Sequence, residues 1–155
     1  MKIVMFSGSG GTGKSTTAQA LSEQLPGWYH VPSLTRQAYA EAGYPSQIAL
    51  NVLPLKEQQQ AQSFFFKHFL DNSYKIINDK KREGVPGIIF ERTPCDHAAY
   101  AAMVHDSIVS FEMACLGYYS IVKPDVFYFP YPAPWGGQAD GFRNVDPVND
   151  ARIAA

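Results

Sequence analysis

Short apolar runs alternate along the chain with longer stretches of helical period. "KIVMF" at 2–6 is apolar almost throughout, as a strand covered on both faces should be. A helical pattern then runs from Lys14 to Leu25, where Leu25-Pro26-Gly27 stops it. "WYHV" at 28–31 reads as a second strand, and "SLTRQAYAEAG" as a short helix closing on Gly43. From Pro54 to Gly84 one stripe, Ala61, Phe65, Phe69, Ile76 and Ile77, marks a long helix with room for one break. That spacing assigns the Phe64–Phe66 run to core packing ahead of a nucleic-acid stacking surface. "VPGIIF" at 85–90 is the next strand. Residues 93–117 then read as one helix, with Thr93 as its cap, Pro94 at its first position and Asp96 where a capping-box acid sits. "DVFYF" at 125–129 is a further strand, a proline- and glycine-rich loop spans 130–147, and another helix starts at 148.

Strands separated by helices, with no hairpin signal between them, predict an α/β chain folded as a three-layer α/β/α sandwich around a mostly parallel sheet. The 155 residues, 46% of them apolar, suffice for one compact domain and its core. There is no internal repeat, low-complexity segment or linker. The formal charge of -1 gives no broad pull toward a nucleic-acid backbone. Cys95 and Cys115 form neither a CxxC pair nor a disulfide framework, which points to a reduced, cytoplasmic protein. The apolar start is too short for a signal peptide and no run is long enough to span a bilayer, so no membrane partner is expected. His30, His68, His97 and His105 match no zinc spacing and read as packed or surface residues; the last two fall on one predicted helix.

The chemistry begins between the first strand and the first helix. Gly8-Ser9-Gly10-Gly11-Thr12-Gly13-Lys14-Ser15 fits G-x-x-x-x-G-K-[ST] in the strand-to-helix context that motif needs, and so predicts a P-loop NTPase fold. Glycines let a loop curl around oxygen atoms, so that its amides and the helix N-terminus converge on an anion. Gly8, Gly10, Gly11, Thr12, Gly13, Lys14, Ser15 and Thr16 are therefore the candidate ATP-binding residues. Lys14 is expected to reach the β- and γ-phosphates and Ser15 to offer its hydroxyl to Mg2+. No guanine-reading N-K-x-D occurs, which disfavours a GTPase.

Glu91 follows directly on the apolar "GIIF", at the carboxyl end of a predicted parallel strand where ligands collect. A carboxylate there can hold the metal through water and can take a proton from an attacking hydroxyl. Arg92 can bind a phosphate or fix the acceptor. Asp96 either caps its helix or orients Arg92 or the substrate. Arg36, Arg92 and Arg143 come from three loops expected at one sheet edge, where an arginine can stabilise a transferring phosphoryl group. Trp135, Tyr39 or Phe142 can stack on a flat ring or pack beneath a loop.

Glu91-Arg92-Thr93 followed by Asp96 and Ala99-Tyr100, with Pro134-Trp135 and Asp140-Gly141-Phe142-Arg143 later, resembles the small P-loop kinases and NTPases of the nicotinamide riboside kinase (NadR-like) type and their phage-encoded relatives. The Glu-Arg pair also resembles the deoxynucleoside kinases. The likeness runs from residue 1 to about 150 and departs at Pro32–Arg36, where relatives often carry an acid, and at the inserted "GGQA" of 136–139. It implies an ATP- and Mg2+-dependent kinase acting on a hydroxyl of a nucleoside, a nucleotide or a modified nucleobase such as hydroxymethyluracil in DNA. Lys14, Glu91, Arg92 and Arg143 would be catalytic, Ser15 and Glu91 would face the metal, and Arg36, Asp96, Trp135 and Asp140 would meet substrate. A regulatory P-loop NTPase and a polynucleotide end kinase are the alternatives. The pattern starts its last helix and stops, so the expectation is one P-loop kinase-like domain over 1–155 lacking its C-terminal helix; oligomeric state is left open.

Overall fold

The computed structural model describes residues 1–130. In chain order the elements are β1 (Lys2–Phe6), α1 (Lys14–Gln24), β2 (Tyr29–Val31), α2 (Leu34–Glu41), α3 (Gln47–Asn51), α4 (Leu55–Arg82), β3 (Gly87–Phe90), α5 (Pro94–Ala101), α6 (Val109–Val122) and β4 (Val126–Tyr128). The strands form one sheet in the order β2-β3-β1-β4, and each neighbouring pair is parallel. The chain thus leaves β1 for the far edge, returns to β3 beside β1, and leaves again for the opposite edge. A crevice opens where those two connections diverge, at the carboxyl ends of β1 and β3.

Alternation along the strands divides the core into layers. Val4, Phe6 and Ile89 pack with Ala18 and the partly buried Leu21, Leu25 and Trp28, on the face covered by α1. Ile3, Met5, Ile88 and Phe90 point the other way, onto Phe69 of α4 and Tyr118 of α6. Each such apolar side chain, buried fully, contributes about 1.5–3 kcal/mol. The expected three-layer α/β/α arrangement is therefore present. Tyr39, one of the rings offered for substrate stacking, belongs to the core: it is buried and stacks on Phe65 with ring centroids 4.3 Å apart.

Three elements differ from the sequence pattern. The segment 93–117 is two helices, α5 and α6, so His97 is helical while His105 lies in the connection. Here α4 catches the chain: the Gln59 side-chain amide donates to the Val104 carbonyl at 2.8 Å, and His105 Nε2 meets the Gln59 carbonyl at 3.2 Å. The long helix α4, by contrast, runs unbroken for 28 residues, roughly 42 Å. The short helix α3 went unmarked; Ser46 caps it by accepting from the Ala49 amide at 3.1 Å. Most of the loop expected over 130–147 and the helix expected from 148 lie outside the described residues.

Gly87 opens β3 against the face of Trp28, and a Cβ built there would stand 2.4 Å from the indole. Gly87→Ala should therefore lower stability by about 1–3 kcal/mol, read from urea denaturation. His97 is buried between α4 and α5 with its ring 5.1 Å from that of Phe69. Burial and then the charge of Arg92 push its pKa down to about 4, with Asp96 opposing and His68 adding to the fall. An unfolded histidine takes up its proton near pH 6.5, so this contribution to stability is complete above that pH and declines as pH falls toward 4. The wild type should lose about 2 kcal/mol between pH 7 and pH 5 that a His97→Asn variant does not lose.

Candidate nucleotide site

The loop from Ser7 to Gly13 joins β1 to α1 and is shaped by its glycines. Gly8, Gly11 and Gly13 have φ of 128°, 75° and 78°, in the left-handed region. A Cβ on Gly8 or Gly13 would meet nothing within 4 Å, so backbone angle and not crowding calls for glycine there. Gly13 caps α1 without a side chain, and no acidic residue occupies the first turn of that helix. The leading amides of α1, where Ser15 and Thr16 are exposed, are thus available to an anion from outside. Lys14 is buried against the loop, its ammonium donating to the Ser9 carbonyl and to Thr12 Oγ1, the latter at 3.0 Å.

Across the crevice, Glu91 stands one residue beyond β3, and its amide donates to the Val31 carbonyl at 3.3 Å, extending the ladder. Glu91 is buried, 6% exposed, yet it accepts three hydrogen bonds. Ser15 Oγ donates to Oε2 at 2.6 Å and the Ser33 amide to the same oxygen at 3.2 Å. His30 Nε2 lies 2.7 Å from Oε1. Ser15 and Glu91 are thus brought together as expected. His30 and the Ser33 amide are additions; nothing in the sequence pattern marked them, because their nearness to Glu91 depends on strand register.

Arg92 and Asp96 turn inward. Arg92 Nη1 donates to the Gly8 carbonyl at 2.8 Å and lies 3.6 Å from Asp96 Oδ1, with its guanidinium 5.9 Å from the centre of the Tyr100 ring. Burial works against its charge, but Asp96, Tyr100 and Glu91 outweigh that and raise its pKa. Asp96 Oδ1 accepts from Ser7 Oγ at 3.1 Å and from the Gly8 amide at 2.8 Å. Its Oδ2 accepts from the Thr93 amide at 2.7 Å and from Thr93 Oγ1 at 2.9 Å. Together with the Thr93 side chain it completes a capping box on α5. Asp96 thus caps its helix and stands beside Arg92, two of the roles read for it, and its two oxygens bond the loop and the helix start. Arg36 is exposed on α2, just past Ser33. Trp135, Asp140 and Arg143 lie outside the described residues.

A glycine loop opening a helix, a lysine within it, and a serine facing a carboxylate on the adjacent strand are now in place together. A family model described as "AAA domain" matches residues 3–155. The chain belongs to that family. It is accordingly a nucleotide-binding P-loop NTPase, and proteins of this kind bind ATP or another nucleoside triphosphate with Mg2+. No curated protein matches it. The residues of this AAA-domain chain fit that ligand. The uncapped helix end and Lys14 suit a polyphosphate, and Ser15 Oγ with Glu91 Oε2 offers the hard oxygen donors that Mg2+ prefers. Among the described residues no group of three or more His, Cys, Asp or Glu could hold a metal, so the ion would also draw on phosphate oxygens and water. Among the same residues no helix is long and apolar enough to cross a membrane.

Asp96→Ala would remove the cap on α5 and orphan the Ser7 hydroxyl and the Gly8 amide. It should cost about 2–4 kcal/mol in urea denaturation and raise the Kd for ATP through the loosened loop.

Proposed function

We propose that the protein is an ATP-dependent kinase that transfers the γ-phosphoryl group to a hydroxyl of a nucleoside, a nucleotide or a modified nucleobase, with hydroxymethyluracil in DNA among the candidates. The observation that carries this reading is the Glu91 carboxylate, 2.6 Å from the P-loop serine at the mouth of the β1–β3 crevice and directly beside the start of α2.

In this reading the loop amides and the amino end of α1 hold the triphosphate. Lys14 exchanges its contacts within the loop for the β- and γ-phosphate oxygens and offsets charge that builds on them. Ser15 and Glu91 face the magnesium side; bound Mg2+ supplies Lewis-acid stabilisation to the phosphoryl oxygens. An ionised carboxylate has about four acceptor directions; Ser15 and Ser33 fill both on Oε2 and His30 fills one on Oε1, so the second direction on Oε1 is the one proposed to take the acceptor's hydroxyl proton, while Oε2 would meet the metal through Ser15 or through water. Arg92 is proposed to act through the Gly8 carbonyl that it holds, steadying the loop. Arg143 is the arginine proposed to face the transferring group, and Arg36, Trp135 and Asp140 are proposed to contact the acceptor. The family match fits a second reading equally, in which water stands in the acceptor's place and the protein is a regulatory NTPase.

The deciding experiment incubates the protein with labelled ATP and Mg2+, alone and with nucleosides, nucleotides or hydroxymethyluracil DNA, and identifies products by mass. ADP release that rises with one acceptor, matched by its phosphorylated product, supports the kinase; hydrolysis indifferent to every acceptor sinks it. Lys14→Ala should cut transfer roughly 100- to 1000-fold while circular dichroism stays unchanged. Glu91→Gln should lower turnover far more than ATP affinity measured without metal. If it retains full turnover, the carboxylate has another role.

A further inference from the structure

His30 is the middle residue of the three-residue strand β2. The sheet gives it a place. In the pairing of β2 with β3, His30 lies beside Ile89 and Val31 beside Phe90. Ile89 turns toward the α1 face, and Glu91, two residues on, follows the same alternation. Imidazole and carboxylate therefore reach the same side of the sheet on neighbouring strands, under the first turn of α1 that carries Ser15.

Their contact divides the labour of the carboxylate. Ser15 and the Ser33 amide both donate to Oε2, whereas His30 Nε2 alone is bonded to Oε1, at 2.7 Å. A carboxylate that accepts at both oxygens needs a proton on the histidine nitrogen, so Nε2 is the donor whatever the charge on the ring. The terminal torsion of a glutamate is broad and nearly twofold. Ser15 and the Ser33 amide hold one oxygen, and among the described hydrogen bonds of that side chain His30 alone holds the other, so it is the contact that stops the carboxylate plane from swinging about Oε2.

We propose that His30 is a positioning residue: it grips Oε1 of Glu91 so that Oε2 is held toward Ser15 and the metal that accompanies the nucleotide. The inference rests on the reading of Glu91 as a metal-side carboxylate, and extends it to a second residue. A His–Glu pair that only steadied the sheet would change stability and leave metal affinity alone, so metal affinity is the quantity to measure.

The test follows Mn2+ by electron paramagnetic resonance as it is titrated into the full chain with saturating ATP, beside ATP binding in EDTA and urea denaturation. His30→Ala should weaken Mn2+ binding about tenfold or more, with ATP binding in EDTA unchanged. His30→Gln, whose amide nitrogen can stand where Nε2 stands, should restore most of it, and His30→Asn, which mimics the other ring nitrogen, should not. Glu91→Gln should weaken Mn2+ binding too, and the His30→Ala/Glu91→Gln double variant should be no weaker than Glu91→Gln alone. Wild-type Mn2+ affinity in His30→Ala with loss in Glu91→Gln would overturn the role of His30 and spare that of Glu91. Wild-type affinity in Glu91→Gln would overturn the metal-side reading itself. Should His30→Ala fail to fold, equal affinities in the Gln and Asn variants would overturn the proposal.

Discussion

The pairing of β1 with β3 is the constraint on which the site depends. Parallel register sets Met5 beside Phe90, so the two chains leave the sheet side by side, one into the glycine loop and the other into Glu91. Nothing local in either segment would bring Ser15 and Glu91, 76 residues apart, to within hydrogen-bonding distance. The apolar side chains that fasten this pair to the layers above and below, among them Ile88, Ile89, Met5 and Phe6, are fully or nearly fully buried. Packing in the middle of the molecule thus sets the distance between two groups at its edge.

Around that edge lies a buried polar network with few idle members. Asp96, Thr93, Ser7 and Arg92 satisfy one another and the backbone of Gly8, while Glu91 is shared by Ser15, Ser33 and His30. Buried polar groups are tolerable only when partnered, and partnered ones rigidify what they touch. A loop rich in glycine costs conformational entropy to order. Part of that cost is met here before any ligand arrives, because a carboxylate and a guanidinium from the β3–α5 junction grip Gly8 by its amide and its carbonyl.

The parts of this arrangement that were legible in the sequence are those encoded by neighbours along the chain. The P-loop is one contiguous phrase whose glycine spacing carries its own geometry, and the strands announce themselves as apolar runs between breakers. Glu91 was legible because it abuts such a run. The capping position of Asp96 was legible too, although its grip on the loop was not, since Ser7 and Gly8 lie almost 90 residues away. His30 was illegible for the same reason: its partner is chosen by register. The break between α5 and α6 was hidden because a glutamine on α4 enforces it. For Asp96, His30 and the α5–α6 break the deciding partner lay on another element, out of reach of any reading by periodicity, whereas α3 carries a local cap at Ser46 and is simply too short to show a period.

The capping box on α5 has a further consequence. Because one carboxylate both starts that helix and restrains Gly8, the loop cannot loosen without disturbing α5, nor can α5 fray without slackening the loop. The two form a single opening unit. Occupancy of the phosphate cradle would accordingly be transmitted as slower amide exchange in the first turn of α5, which makes that helix a reporter of nucleotide through its hold on Gly8.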